Sequence, residues 1–108
     1  MTSCPMTAAL NAIGGKWSLI VLYFLDSGTR RFNELRRLIP DVSHKVLTET
    51  LRNLEAEGLI VRNVHALAPS HVEYEISQHG QSVRPLMHAV RHWGRSHLEW
   101  KRPDGGGS

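Results

Sequence analysis

Cysteine is nearly absent from this chain: Cys4 is alone among 108 residues. An intramolecular disulfide is therefore excluded, and with it a small secreted fold stapled by bridges. There is no apolar run of membrane length and no signal-peptide pattern, so a soluble, cytoplasmic protein is expected. A glycine-rich phosphate loop is missing, as is any carboxylate pair suited to acid–base work. A catalytic thiol needs a fixed histidine partner, and the residues around Cys4 offer none. An enzyme is thus the weakest of the functional readings, and no cofactor is called for. Histidine is plentiful, at seven residues, but little of it is patterned. His88 and His92 have the four-residue spacing of helical metal ligands, yet no cysteine accompanies them and Glu99 is remote. They read as a solvent-facing pair. His65, His79 and His97 form no pattern, and no internal repeat is present.

What is there suits one domain. The apolar share of 41% is ordinary for a globular chain, but a domain of this size buries a limited fraction of its surface. The net charge is +3. Six basic residues (Arg30, Arg31, Arg36, Arg37, Lys45 and Arg52) face three acids (Glu34, Asp41 and Glu49) between positions 30 and 52, so that one segment carries the whole excess. A concentrated positive charge of this kind suits a polyanion.

The periodicities place the elements. Pro5 suits a first helical position, Ala8, Ala9, Ala12 and Ile13 continue the helix, and Gly14-Gly15 ends it. "KWSLIVLYFLDSG" is apolar almost all round and reads as a buried central helix closed by Gly28. In "RRFNELRRLIP", Phe32, Leu35, Leu38 and Ile39 share a face, Asn33 is the expected N-cap and Pro40 ends the run. Ser43 then caps "SHKVLTETLRNLEAEGLI", in which Leu47, Leu51 and Leu54 form the buried stripe. Two short helices joined by a tight turn make a helix-turn-helix. Ile60, Arg62 and Val64 alternate with their neighbours, as do Val72, Tyr74 and Ile76. These are two strands joined by an "ALAPS" tip, the wing. Finally Val83, Leu86, Met87, Val90 and Trp93 form a helical stripe that continues through Leu98 and Trp100, with Pro85 near its start.

The segments "CP" at 4–5, "IGGKW" at 13–17, "RRFNELRR" at 30–37, "KVLTE" at 45–49, "LEAEGLI" at 54–60, "VEY" at 72–74 and "WG" at 93–94 span nearly the whole chain in one order. In these the sequence resembles the HxlR-type branch of the MarR-like winged-helix transcription regulators. The family often has a basic residue at the position of Thr50, an aromatic at His65 and an arginine at His71. The resemblance implies a homodimeric bacterial DNA-binding regulator. The expected fold is mainly α with a small β-wing, a winged helix-turn-helix dimerising through its terminal helices. A single winged-helix domain over residues 1–102 would hold the helix-turn-helix at about 31–57, the wing at about 59–77 and the dimerisation helix at about 78–100. The "PDGGGS" end, 103–108, reads as a flexible tail or a cloning scar.

Residues on a helix advance by about 100° each, so Lys45, Glu49 and Arg52 lie opposite the leucine stripe, with Thr48 on the flank. Such a helix fits the DNA major groove. Lys45 and Arg52 can donate to guanine or phosphate. Thr48 can meet a thymine methyl or donate to phosphate. Glu49 can accept from cytosine or pair with Lys45 or Arg52. Ser43 and His44, at the helix start, can meet the backbone. Arg30, Arg31, Arg36 and Arg37 are phosphate candidates or surface charges, and Arg62 and His71 are the wing candidates. The rival of another class is a winged helix that binds protein; the basic surplus argues against it.

Leu86, Met87, Val90, Trp93, Leu98 and Trp100 lie beyond the reach of a core made by the first four helices. Leaving them wet forgoes about 1.5–3 kcal/mol each, so a two-fold dimer through this helix, aided by the first, is expected. Trp17, Tyr23 and Trp93 are candidates to line a pocket between domain and dimer, for an effector the sequence does not name. Cys4 immediately precedes the first helix, whose positive end lowers a thiol's pKa. By resemblance to relatives that sense quinones, diamide or hypochlorite through this "CP" cysteine, Cys4 is a redox-sensor candidate; its other reading is a thiol that only packs.

Overall fold

In the computed structural model, which describes residues 4–103, Pro5 opens the first helix, α1 (Pro5–Ile13). Proline has no N–H to lose there. Gly14 closes α1 by donating its amide to the Leu10 carbonyl at 2.8 Å. The remaining elements are α2 (Ser18–Asp26), α3 (Phe32–Leu38), α4 (His44–Ala56), β1 (Ile60–His65), β2 (Ala68–Ile76), a 3₁₀ turn (Gly80–Val83) and α5 (Arg84–Trp100). The tail expected at 103–108 falls, apart from Pro103, outside the described residues. No single described helix is long and apolar enough to cross a membrane.

The core is built around Val21, Leu22 and Leu25 of α2, Leu35 of α3 and Leu47, Leu51 and Leu54 of α4, with Ile39, Val42, Leu59, Ile60 and Met87 completing it. Contrary to the all-round burial expected of α2, Ile20 and Tyr23 lie on its exposed side. An apolar run does not say which of its faces the rest of the same chain covers.

At α3 the expected cap moves. Asn33 lies inside the helix, and the N-cap is Arg31, whose amide donates to Glu34 Oε1 at 2.7 Å. This is one half of a capping box, since a guanidinium has no acceptor to return the bond. The cause is non-local. Arg30 exchanges two backbone bonds with Tyr74, at 2.9 and 2.7 Å, which holds the chain extended until α3 begins.

Ser43 Oγ accepts the Val46 amide at 3.1 Å and starts α4. Thr50 is buried beside the leucines, its hydroxyl donating to the Val46 carbonyl at 2.8 Å. Thr50 therefore faces the core and not the outward side that carries Lys45, Glu49 and Arg52. Gly58, at φ +77°, turns the chain into β1, a conformation glycine adopts without a Cβ penalty.

The strands pair antiparallel, with Ile60 opposite Ile76, Arg62 opposite Tyr74 and Val64 opposite Val72. The register then shifts, and His65 pairs with Ala68. The expected five-residue tip shrinks to Ala66-Leu67, and Pro69, Ser70 and His71 form a bulge in β2. A bulge is where a strand tolerates a residue with no N–H.

Ser77 fastens the wing to the end of α4. Its amide donates to the Leu59 carbonyl at 3.0 Å and its hydroxyl to the Gly58 carbonyl at 2.6 Å. The same oxygen accepts the Gly80 amide at 2.9 Å. Gly80 is buried, and a Cβ there would collide with the Leu59 carbonyl oxygen. α5 begins at Arg84, later than the expected 78, because Gly80–Val83 wind as a 3₁₀ turn. Arg84 Nε meets Asp26 Oδ1 at 2.6 Å and ties the start of α5 to the end of α2. Gly80→Ala is expected to cost about 1–3 kcal/mol by overpacking, read as a lowered urea midpoint at unchanged slope.

Candidate nucleic-acid interface

The outward face of α4 follows from its buried one. With Leu47, Leu51 and Leu54 in the core, Lys45, Glu49 and Arg52 project into solvent. Glu49 pairs with neither cation: the ion pairs among the described residues are His65–Glu73, His71–Glu73 and Arg84–Asp26. Thr48 is half-buried, and its hydroxyl donates to the His44 carbonyl at 2.8 Å. The phosphate-donor role considered for Thr48 is thus already spent inside the helix, which leaves its methyl and an acceptor oxygen. The His44 ring packs on Phe32 with centroids 4.7 Å apart, locking the start of α4 to the start of α3.

The arginines divide. Arg31 is exposed just before α3, and Arg36 and Arg37 are exposed in its last turn. Arg30 is not free for a polyanion. Its guanidinium donates to the Phe24 carbonyl at 3.4 Å and to Ser27 Oγ at 3.0 Å, closing the end of α2.

The two wing candidates separate as well. Arg62 faces α4, lining a hollow of about 250 Å³ with Thr48, Arg52, Glu55 and Tyr74. Glu55 and Tyr74 were not singled out from the sequence; the cross-strand pairing of Arg62 with Tyr74 is the signal that finds the latter. His71 lies on the opposite face of the hairpin. Its Nε2 is 3.6 Å from Glu73 Oε2, and His65 Nε2 is 3.1 Å from Glu73 Oε1. The hydrogen bond from His65, followed by His71, holds the Glu73 carboxyl below its ordinary range. Arg62 and Arg52 are brought together; Arg62 and His71 are not.

Along α5, only Met87 is buried: contrary to the expectation that it lies beyond the core of its own chain, it packs into that core because α5 folds back against α2. Leu86 and Val90 are exposed, and Trp93, Leu98 and Trp100 expose 64%, 69% and 75% of their surfaces. Trp93, His97 and Trp100 stack in series, with centroids 4.8 and 6.1 Å apart. Between α2 and α5 lies an apolar hollow of about 280 Å³, lined by Leu19, Ile20, Tyr23, Phe24, Met87, Val90 and Arg91. Of the three aromatics expected at a pocket between domain and dimer, Tyr23 lines this hollow within one chain, and Trp93 lines a separate one with Ser96, His97 and Trp100.

Cys4 occupies the N-cap position of α1 and is exposed. The nearby Thr7 amide, then the Met6 amide, then the Thr7 hydroxyl lower its thiol pKa, although none of them closes a capping hydrogen bond to the sulfur. Thiolate reacts and thiol does not. The rate of Cys4 alkylation by iodoacetamide should therefore rise with pH around a midpoint lower in the folded protein than in the same protein in guanidinium chloride.

Residues 12–102 match the HxlR-like helix-turn-helix family. The HTH-type transcriptional regulator YkvN of Bacillus subtilis (strain 168) is 40% identical over 103 residues, covering 95% of this chain and 87% of YkvN. Among solved structures, that of ytcD, described as an HTH-type transcriptional regulator, superposes with a TM-score of 0.82 at 40% identity, over 89% of this chain and 98% of its own. The redox regulator HypR in its reduced form gives 0.81 at 38% identity, over 89% and 95%. The mainly helical fold with its two-stranded wing, the sequence match and these likenesses agree, and the chain belongs to the HxlR-like helix-turn-helix family of transcriptional regulators, which are not enzymes.

Proposed function

We propose that this regulator binds operator DNA as a homodimer, with α4 in the major groove. The observation that carries the reading is the outward face of α4, where Lys45 and Arg52 stand exposed and free of ion pairs, with Arg62 beside Arg52. Lys45, Arg52, Thr48 and Glu49 read bases. Ser43 and His44 at the helix start, with Arg31, Arg36, Arg37 and Arg62, meet phosphates, and His71 is the second wing contact. A two-fold dimer presents two such helices about 34–36 Å apart and prefers an inverted repeat.

The exposed Leu86, Val90, Trp93, Leu98 and Trp100, with Met6 and Leu10 of α1, support dimerisation through the terminal helices. Two copies covering these residues recover apolar burial at about 25 cal/mol per Å². Leu98→Glu is expected to shift the protein to monomer in sedimentation velocity while its circular dichroism stays unchanged. A dimer that persists at the same concentrations removes α5 as the interface.

Cys4 makes the binding redox-responsive in this reading. The supports are its exposure, its lowered thiol pKa and the likeness to HypR, a redox regulator solved in reduced and oxidised forms. Two Cys4 thiols, one from each protomer, lose two protons and two electrons to one diamide, which becomes the hydrazine, and an intersubunit S–S bond forms. A small thiol in place of the second cysteine gives a mixed disulfide by the same balance.

Fluorescence anisotropy against inverted-repeat DNA from the upstream intergenic region tests this function. Lys45→Ala and Arg52→Ala should each weaken specific binding by roughly 10-fold or more. Arg36→Ala and Arg37→Ala should weaken all sequences alike and reduce the salt slope by about 1 each. Diamide should change the affinity of the wild type and leave Cys4→Ser unmoved. Equal binding to scrambled DNA at all salt concentrations turns the reading to the protein-interaction alternative.

A further inference from the structure

Near the tip of the wing, three metal-ligating side chains meet that sequence spacing does not connect. Glu73 of β2 pairs with Asn63 of β1. His65 Nε2 and His71 Nε2 both reach the Glu73 carboxylate, so the three side chains stand on one side of the sheet. The bulge that Pro69, Ser70 and His71 form in β2 lies opposite the Val64–His65 step, and the two rings there are in edge contact, with centroids 4.1 Å apart. One ligand atom from each residue, a ring nitrogen of His65 and of His71 and a carboxylate oxygen of Glu73, lies within 4.8 Å of the others.

We propose that His65, His71 and Glu73 form a binding site for a divalent transition-metal ion of the zinc class. The donor set, two imidazole nitrogens and one carboxylate oxygen, is one that such ions take with an open fourth position. Ligands about 2.0–2.2 Å from a tetrahedral centre lie about 3.4 Å from one another. His65 Nε2 lies 3.1 Å from Glu73 Oε1 and His71 Nε2 lies 3.6 Å from Glu73 Oε2, so each imidazole stands near that spacing from one of the two carboxylate oxygens. Small side-chain adjustments on an exposed hairpin suffice to seat the ion, and no backbone rearrangement is required. His88 and His92 on α5 offer two ligands and no carboxylate, so they do not compete as a site.

Occupancy also changes the sign of the wing. Its ionised side chains between Ile60 and Ile76 are Arg62, Glu73 and Glu75, a net charge of −1 with both histidines neutral. A bound divalent ion makes this +1. The wing, acidic by its own ionised side chains, becomes cationic, and the added charge lies on the face of the hairpin opposite Arg62.

Calorimetric titration of the metal-free full chain with zinc chloride, in the absence of DNA, tests the site independently of the DNA-binding reading. One ion per chain is expected to bind. His71→Ala and Glu73→Gln should each lose about 10-fold or more in affinity, with unchanged circular dichroism, while a double variant of His88→Ala with His92→Ala, and Cys4→Ser, should bind as the wild type does. Cobalt(II), used as an optical probe, should give the visible absorption of a four-coordinate site in the wild type and not in Glu73→Gln. The proposal is overturned if the wild type takes up no zinc, if His71→Ala and Glu73→Gln bind it undiminished, or if the affinity is lost with His88 and His92 instead.

Discussion

The outward face of α4, and what packs around it, depends on the leucine stripe of the same helix. Leu47, Leu51 and Leu54 are fully or almost fully buried against α2 and its neighbours, and a helix with one face fixed has its other face fixed too. No specific force aims Lys45, Glu49 and Arg52 at solvent; they are what remains once the leucines are placed. The same packing consumes Thr50 and half of Thr48, whose hydroxyls are returned to the carbonyls of Val46 and His44. Four neighbouring polar positions, 48–50 and 52, therefore do different work, and only two of them carry free charge.

Arg30 shows the same economy in a basic segment. Of the four arginines flanking and within α3, one is turned inward to hold the end of α2 and to bridge Tyr74, while Arg31, Arg36 and Arg37 stay at the surface. The sheet thereby acquires a short third edge. It connects the wing to the helix-turn-helix through main chain alone, which makes that link indifferent to the side chains around it.

Much of this was legible because its causes are local. Pro5 and Gly14 bound α1, and Ser43 and Gly58 bound α4, each by chemistry within a few residues of the boundary. Where the cause is distant, the residues mislead. Asn33 is a fair cap by type, but the Arg30–Tyr74 bridge sets the chain's entry to α3, and Glu34 then caps Arg31. The wing tip is shorter than its composition suggests, since the register places Pro69 in a bulge. His65, His71 and Glu73 gather through strand pairing, so spacing along the chain gave them no pattern. The apolar run of α2 likewise does not tell which side faces its own core and which side, with Ile20 and Tyr23, is left for α5 and solvent.

The Ser77 clasp has a mechanical consequence. One hydroxyl and one amide bind the end of α4, the start of β1 and the turn before α5 at a single point, and Gly80 packs so closely there that nothing larger fits. The end of α4 and the wing consequently share no free hinge at their junction. In the proposed dimer, a displacement of α5 would reach α4 and the wing together, as a change in the position of both and not as a bending of one against the other.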